Sequence, residues 1–128
     1  VEVELMQGGK APTARQKRWH QWLRDQGCAC CGMPAEIHHC VGSTGKHSKV
    51  WIGQDFVIPL CPRHHRHEAS IDKNTAQFVT EYYGAPRDIG RRGMEKLIFA
   101  GLVAHYRRQR GELPCSAEVL AAIEDYHR

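Results

Sequence analysis

The 128 residues predict a small α+β domain, in which a metal-held knuckle and a hairpin of little sheet are wrapped by helices at both ends. Three observations carry that expectation. Of nine His and six Cys, eleven crowd the stretch from Cys28 to His67, a density that points to a metal-organised centre. Two short runs with strand character, 35–39 and 56–60, flank a segment rich in Gly and Ser, which suits a hairpin rather than a broad sheet. Apolar residues recur at helical spacing before and after this centre.

The elements follow in order. Thr13 caps a helix over Ala14 to Gln26, with Trp19, Trp22 and Leu23 on its core face and Gly27 as its stop. Cys28-Ala29-Cys30-Cys31-Gly32 makes a tight metal-binding turn, and Ala35 to His39 a short strand. From Cys40 to Gln54 no period is visible, so a flexible basic loop is expected there. Phe56, Val57, Ile58 and Leu60 form the second strand. Cys61-Pro62 starts a helix that carries His64, His65, His67 and Glu68, since Pro is well tolerated in a first helical turn. Thr75 to Tyr83 is a further amphipathic helix, closed by Gly84 and Pro86. Met94 to Arg110 is the longest, with Met94, Leu97, Ile98, Leu102 and Tyr106 along one face. Ser116 caps a last helix to about Asp125 that buries Val119, Leu120 and Ile123.

Composition bounds what this domain does. With 41% hydrophobic and 25% charged residues, the chain is ordinary for a soluble globular protein. No apolar run approaches the roughly 18 residues of a membrane span, and residues 1–9 lack a secretory profile, so a cytoplasmic chain with no membrane partner is expected. In that reducing setting, closely spaced Cys suit zinc better than disulfides. The apolar content outside the loops is thin for a self-sufficient core, and small domains of this kind recruit a structural metal. The expected layout is a flexible lead-in over 1–9 and one domain over 10–128, divided into a basic helix (10–27), a metal core (28–70) and a helical extension (71–128).

Cys28-x-x-Cys31-Gly32 and Cys61-x-x-His64 are two chelating pairs, one on a Gly-closed knuckle and one at a helix start. Together they complete a tetrahedral zinc site. Cys30 competes within the first pair, although the Cys28/Cys31 spacing suits the knuckle better, and Cys40 and Cys115 read as free buried thiols. His38, His39, His65 and His67 are then left over. In a strand, His38 and His39 point to opposite faces and take different tasks. On the helix, His65 turns about 100° away from His64, so a packed hairpin brings His38 or His39 near it. The net charge of +4 is concentrated in Lys10, Arg15, Lys17, Arg18 and Arg24, in Lys46 and Lys49 of the loop, and in arginines of the later helices. Such clusters suit a polyanion such as DNA, or are simply solvated helix faces.

At these residues the chain resembles the HNH, or ββα-metal, endonucleases, which have a treble-clef-like core. The likeness runs through the Cys-x-x-Cys knuckle, Glu36-Ile37-His38-His39, a loop, and Ile58-Pro59-Leu60-Cys61-Pro62-Arg63-His64-His65. More narrowly it is similar to the phage Ref (recombination enhancement function) nucleases, through Pro12-Thr13-Ala14 ahead of a basic helix and Pro59-Leu60-Cys61-x-x-His64-His65-x-His67. The resemblance covers about Lys10 to Glu68. It implies that His39 is the general base, that His38 and His65 hold a catalytic Mg²⁺ or Mn²⁺ with His67 and Glu68 as further candidate ligands, and that Cys28, Cys31, Cys61 and His64 hold structural Zn²⁺. It implies DNA cleavage that depends on a RecA filament on single-stranded DNA, in the bacterial host cytoplasm if the protein is phage-encoded. Many HNH enzymes place an Asn before the second strand to brace the loop behind the base. Here that position reads Asp55-Phe56, which makes Asp55 the candidate brace. Against this stands a non-catalytic zinc module that binds nucleic acid through the same basic surfaces. The two differ at His39, since a binding module has no need of a His pair on the strand facing the helix.

Overall fold

The computed structural model describes residues 11–127, so Lys10 and the expected lead-in over 1–9 lie outside the described residues. Helix α1 (Ala14–Gln26) starts where expected, because Thr13 and Gln16 close a reciprocal capping box: Gln16 N–H donates to Thr13 Oγ1 at 3.2 Å, and Thr13 N–H to Gln16 Oε1 at 2.8 Å. Such a cap contributes about 1 kcal/mol. Gly27 ends the helix with φ +83, a backbone angle that favours glycine. Trp19, Trp22 and Leu23 point inward and are buried.

The chain then turns through the knuckle. Gly32 N–H donates to Cys28 O and Cys28 N–H to Met33 O, both at 2.8 Å, and Gly32 takes φ +78 to close the turn. Strand β1 (Glu36–His39) follows, and two short strands, β2 (Lys46–His47) and β3 (Val50–Trp51), precede β4 (Val57–Leu60). β1 and β4 pair antiparallel with Glu36 opposite Leu60 and His39 opposite Val57. β4 is buried along its whole length, which agrees with its unbroken apolar character. Ala29 N–H donates to Pro59 O at 2.9 Å, tying the knuckle to the strand. Helix α2 (Pro62–His65) is a single turn, and it ends before His67 and Glu68, contrary to the expectation that it carries both.

The segment 40–54 is not the flexible loop that its lack of period suggests. β2 and β3 form a hairpin in which Ser48 and Lys49 take positive φ of 51 and 67, the primed-turn geometry that matches strand twist. Ile52 and Gly53 N–H both donate to Gly45 O, and the Ile52 side chain is fully buried in the core. His47 reaches Asp125 at 2.8 Å, which pins the hairpin to the last helix.

Three helices complete the fold: α3 (Thr75–Tyr83), α4 (Arg91–Arg110) and α5 (Ala117–Asp125), the last capped by Ser116 as expected. α4 starts three residues earlier than predicted, and its inward face is Met94, Glu95, Ile98, Phe99 and Tyr106. Leu97, expected on that face, is 45% exposed. Trp19 meets the rings of Phe99 and Tyr106 edge-on at 6.2 and 5.3 Å, so α1 and α4 share one aromatic layer behind β4. No described helix is long and apolar enough to cross a membrane.

Candidate metal centre and histidine site

The ligand atoms of Cys28, Cys31, Cys61 and His64 all lie within 4.8 Å of one another. Cys31 and Cys61 Sγ are 3.6 Å apart, and His64 Nδ1 is 3.6 Å from Cys28 Sγ and 3.2 Å from Cys61 Sγ. Zinc with sulfur at about 2.3 Å and nitrogen at about 2.0 Å separates tetrahedral ligands by about 3.5 to 3.8 Å, so this donor set suits a metal ion such as zinc. Burial pushes the Cys61 thiol up, but hydrogen bonds from the His64 backbone and ring and from the neighbouring thiols bring it down to about 7. That favours the thiolate a metal needs. Cys30 stays outside the cluster: burial raises its thiol to about 12, while its N–H donates to Cys28 Sγ at 3.4 Å. Cys40 and Cys115 are free and buried, as expected.

His64 is oriented from behind. Its Nε2–H donates to Glu81 Oε1 at 2.7 Å, and Glu81 also accepts from Arg63 and Gln77. Those bonds, Arg63 foremost, hold the Glu81 carboxyl down to about 2. Glu81 sits on α3, and no feature of the local sequence marks it.

The β1–β4 pair brings His38, rather than His39, to His65: the two rings meet edge-on with centroids 5.1 Å apart. The adjacent histidines do take opposite environments, as strand alternation requires. His38 is 3% exposed, and its Nε2–H donates to Glu95 Oε2 at 2.8 Å. Glu95 is fully buried and accepts from Arg91 and Arg92 as well. His65 turns away from the cysteines and donates Nδ1–H to Glu36 Oε1 at 2.6 Å. His39 is half-buried, and its Nε2–H donates to Gln54 Oε1 at 2.9 Å, while Gln54 O meets His20 Nε2 at 2.7 Å. Gln54, the residue before Asp55, thus fixes the His39 ring. Asp55, the expected brace, is 2% exposed and ties the same loop to α1: it accepts from Arg15 at 2.9 Å and Gln16 at 3.0 Å, and its backbone oxygen accepts from Trp19.

The remaining predicted residues separate into two groups. His67 and Glu68 are exposed, and Glu68 pairs with Arg63 at 2.9 Å; Glu36 occupies the place beside His65. Among the proposed phosphate contacts, Arg15 is spent on Asp55 and on the Pro114 carbonyl, and Lys46 lies over the Trp51 ring at 4.6 Å. Lys17, Arg18 and Lys49 are exposed. Arg91 and Arg92, part of a later basic cluster, are turned inward onto Glu95 and the Cys40 carbonyl.

No solved structure matches the chain. The "Uncharacterized protein YdfU" of Escherichia coli (strain K12) is 31% identical over 103 residues, covering 74% of this chain and 27% of that relative. The chain therefore spans about a quarter of that relative's length. A family match runs from residue 3 to residue 96, taking in the cysteine–histidine cluster, the three histidines beside it and Glu95, and ending early in α4. The chain accordingly belongs to the family described as "Protein of unknown function (DUF968)".

Proposed function

We propose that the chain is a metal-dependent endonuclease of HNH type that hydrolyses phosphodiester bonds in DNA. The observation that carries this reading is the His38–His65 ring pair, 5.1 Å apart, with His39 next along the same strand and held by Gln54. Two imidazoles on one cation place their centroids about 5 Å apart, so the pair fits a shared divalent ion. Of the two hard cations the resemblance implies, Mn²⁺ takes imidazole donors more readily than Mg²⁺, which makes it the better first probe. A cation held there supplies Lewis acidity to a phosphate oxygen and offsets charge on the leaving 3′ oxygen.

The chain's own residues do the rest. With Nε2–H donated to Gln54, the neutral His39 ring keeps its lone pair on Nδ1, the nitrogen able to take a proton from the attacking water. The cysteine–histidine cluster joins the knuckle to α2 and so sets His65 against β1. Lys17, Arg18 and Lys49 supply exposed charge for the DNA backbone. Those same exposed cations favour a second reading, a zinc-stabilised module that binds DNA without cutting it.

The test is supercoiled plasmid and single-stranded DNA incubated with the zinc-loaded chain and Mn²⁺ or Mg²⁺, with and without RecA filaments. Cation-dependent cleavage is expected, lowered about 10²- to 10⁴-fold in His39→Ala with folding unchanged. Cleavage confined to the RecA arm supports the filament-dependent form of the proposal. A wild-type chain that retards DNA yet cuts in no arm refutes the enzyme and leaves the binding module.

A further inference from the structure

The histidine of the cysteine cluster supplies an internal template. His64 turns Nδ1 toward two sulfurs while its Nε2–H rests on Glu81, the carboxylate–imidazole arrangement that orients metal-bound histidines. Three more described histidines meet a carboxylate: His47, which pins the β2–β3 hairpin to Asp125, and the neighbouring pair His38 and His65. His38 donates Nε2–H to Glu95 at 2.8 Å, and His65 donates Nδ1–H to Glu36 at 2.6 Å. An ionised carboxylate only accepts, so each of these bonds fixes which nitrogen carries the proton and leaves the other with a lone pair. The carboxylates are themselves held. Glu95 takes Arg91 at 3.1 Å and Arg92 at 2.5 Å, and Glu36 takes Arg66 at 2.6 and 3.1 Å.

We propose that Glu95 and Glu36 are positioning residues that fix His38 and His65 in opposite tautomers, so that Nδ1 of His38 and Nε2 of His65 serve one divalent cation. This rests on the reading of those two histidines as ligands. His39 meets the Gln54 amide, which sets it apart from the carboxylate-backed rings of His38 and His65. His38, Cys40 and Glu95 also bring their ligand atoms within 4.8 Å of one another. A cation among them would face the guanidiniums of Arg91 and Arg92 already bound to Glu95, so the triad supports His38 and does not itself hold the ion.

The experiment uses the zinc-loaded full chain with Mn²⁺ alone as the probe, read by calorimetry and by imidazole ¹H–¹⁵N spectra. Before Mn²⁺ is added, neutral His38 is expected as the Nε2–H tautomer and His65 as the Nδ1–H tautomer. Glu36→Ala should release His65 into a tautomer mixture and weaken Mn²⁺ binding about 10- to 100-fold. Glu36→Gln, whose amide oxygen still accepts, should restore the tautomer and part of the affinity. Glu95→Gln should weaken binding similarly; if that buried change prevents folding, the Glu36 variants carry the test. Unchanged Mn²⁺ affinity in folded Glu36→Ala, or the reverse tautomers, overturns the proposal. If His38→Ala and His65→Ala abolish binding while Glu36→Ala does not, only the positioning role fails. If neither His variant changes it, or wild type binds no Mn²⁺, the ligand reading fails and takes the proposal with it.

Discussion

The two histidine-bearing centres of this molecule are built from neighbouring residues and differ in how many donors they close. Around His64 three sulfurs and one nitrogen converge within 4.8 Å, the four donors a tetrahedral site takes. Around His65 stand one further ring, His38, and the Glu36 carboxylate, so the cation proposed there would keep positions for water or substrate. A saturated centre suits architecture, and an unsaturated one suits substrate or water. The difference arises from one step along α2: consecutive residues His64 and His65 face the knuckle and β1 respectively.

The largest expected effect strikes both centres together. Cys28→Ser should remove most of the folding stability, because metal affinity of about 10 kcal/mol or more in structural zinc sites is itself folding free energy. Thermal unfolding and zinc content measured side by side check it, and a folded, zinc-free Cys28→Ser chain would show that the cluster is not a clamp. Glu95→Ala should separate the centres. It leaves Arg91, Arg92 and His38 uncompensated in the core and should cost about 3 to 5 kcal/mol in urea titrations, while the zinc content of the protein that remains folded is unchanged.

A smaller effect is expected from pH. Burial holds the His20 imidazole below its ordinary 6.5, against the opposing pull of the Gln54 carbonyl. The unfolded chain therefore takes up the proton first as pH falls, so the stability linked to His20 is present above about pH 6.5 and declines below it. Urea midpoints between pH 7.5 and 5 should fall less steeply for His20→Gln than for wild type. Smallest of all, Lys17→Ala and Arg18→Ala should leave both centres intact and each reduce the salt slope of DNA retention by about 1. An unchanged slope would remove α1 from the DNA contact.

Much of this was legible along the chain, and most of the exceptions share a cause. α1 and α5 announce themselves through Thr13 and Ser116, whose side chains cap the helices they precede. The chelating pairs are legible because each is local, with two ligands three residues apart. What escapes is whatever depends on distant partners. Glu95 meets His38 across 57 residues, Glu81 meets His64 across 17, and Gln54 meets His39 across 15, and none carries a local signal of its role. Glu95 also displaces the apparent apolar stripe of α4, since a charged residue fills a core position and Leu97 is left outside. The hairpin of β2 and β3 escapes for another reason: its strands are two residues long, and its left-handed turn is made by Ser48 and Lys49 instead of Asn or Gly. His67 and Glu68 fall away from their predicted helical positions because α2 provides only a single turn.

The division between a closed and an open centre is tested most directly by crystals of the zinc-loaded chain soaked in Mn²⁺, with anomalous scattering used to tell the two metals apart. Zinc is expected on Cys28, Cys31, Cys61 and His64, and manganese on Nδ1 of His38 and Nε2 of His65 with water completing its shell. Manganese seated among His38 Nε2, Cys40 and Glu95, or no manganese beside His65 at all, would contradict it.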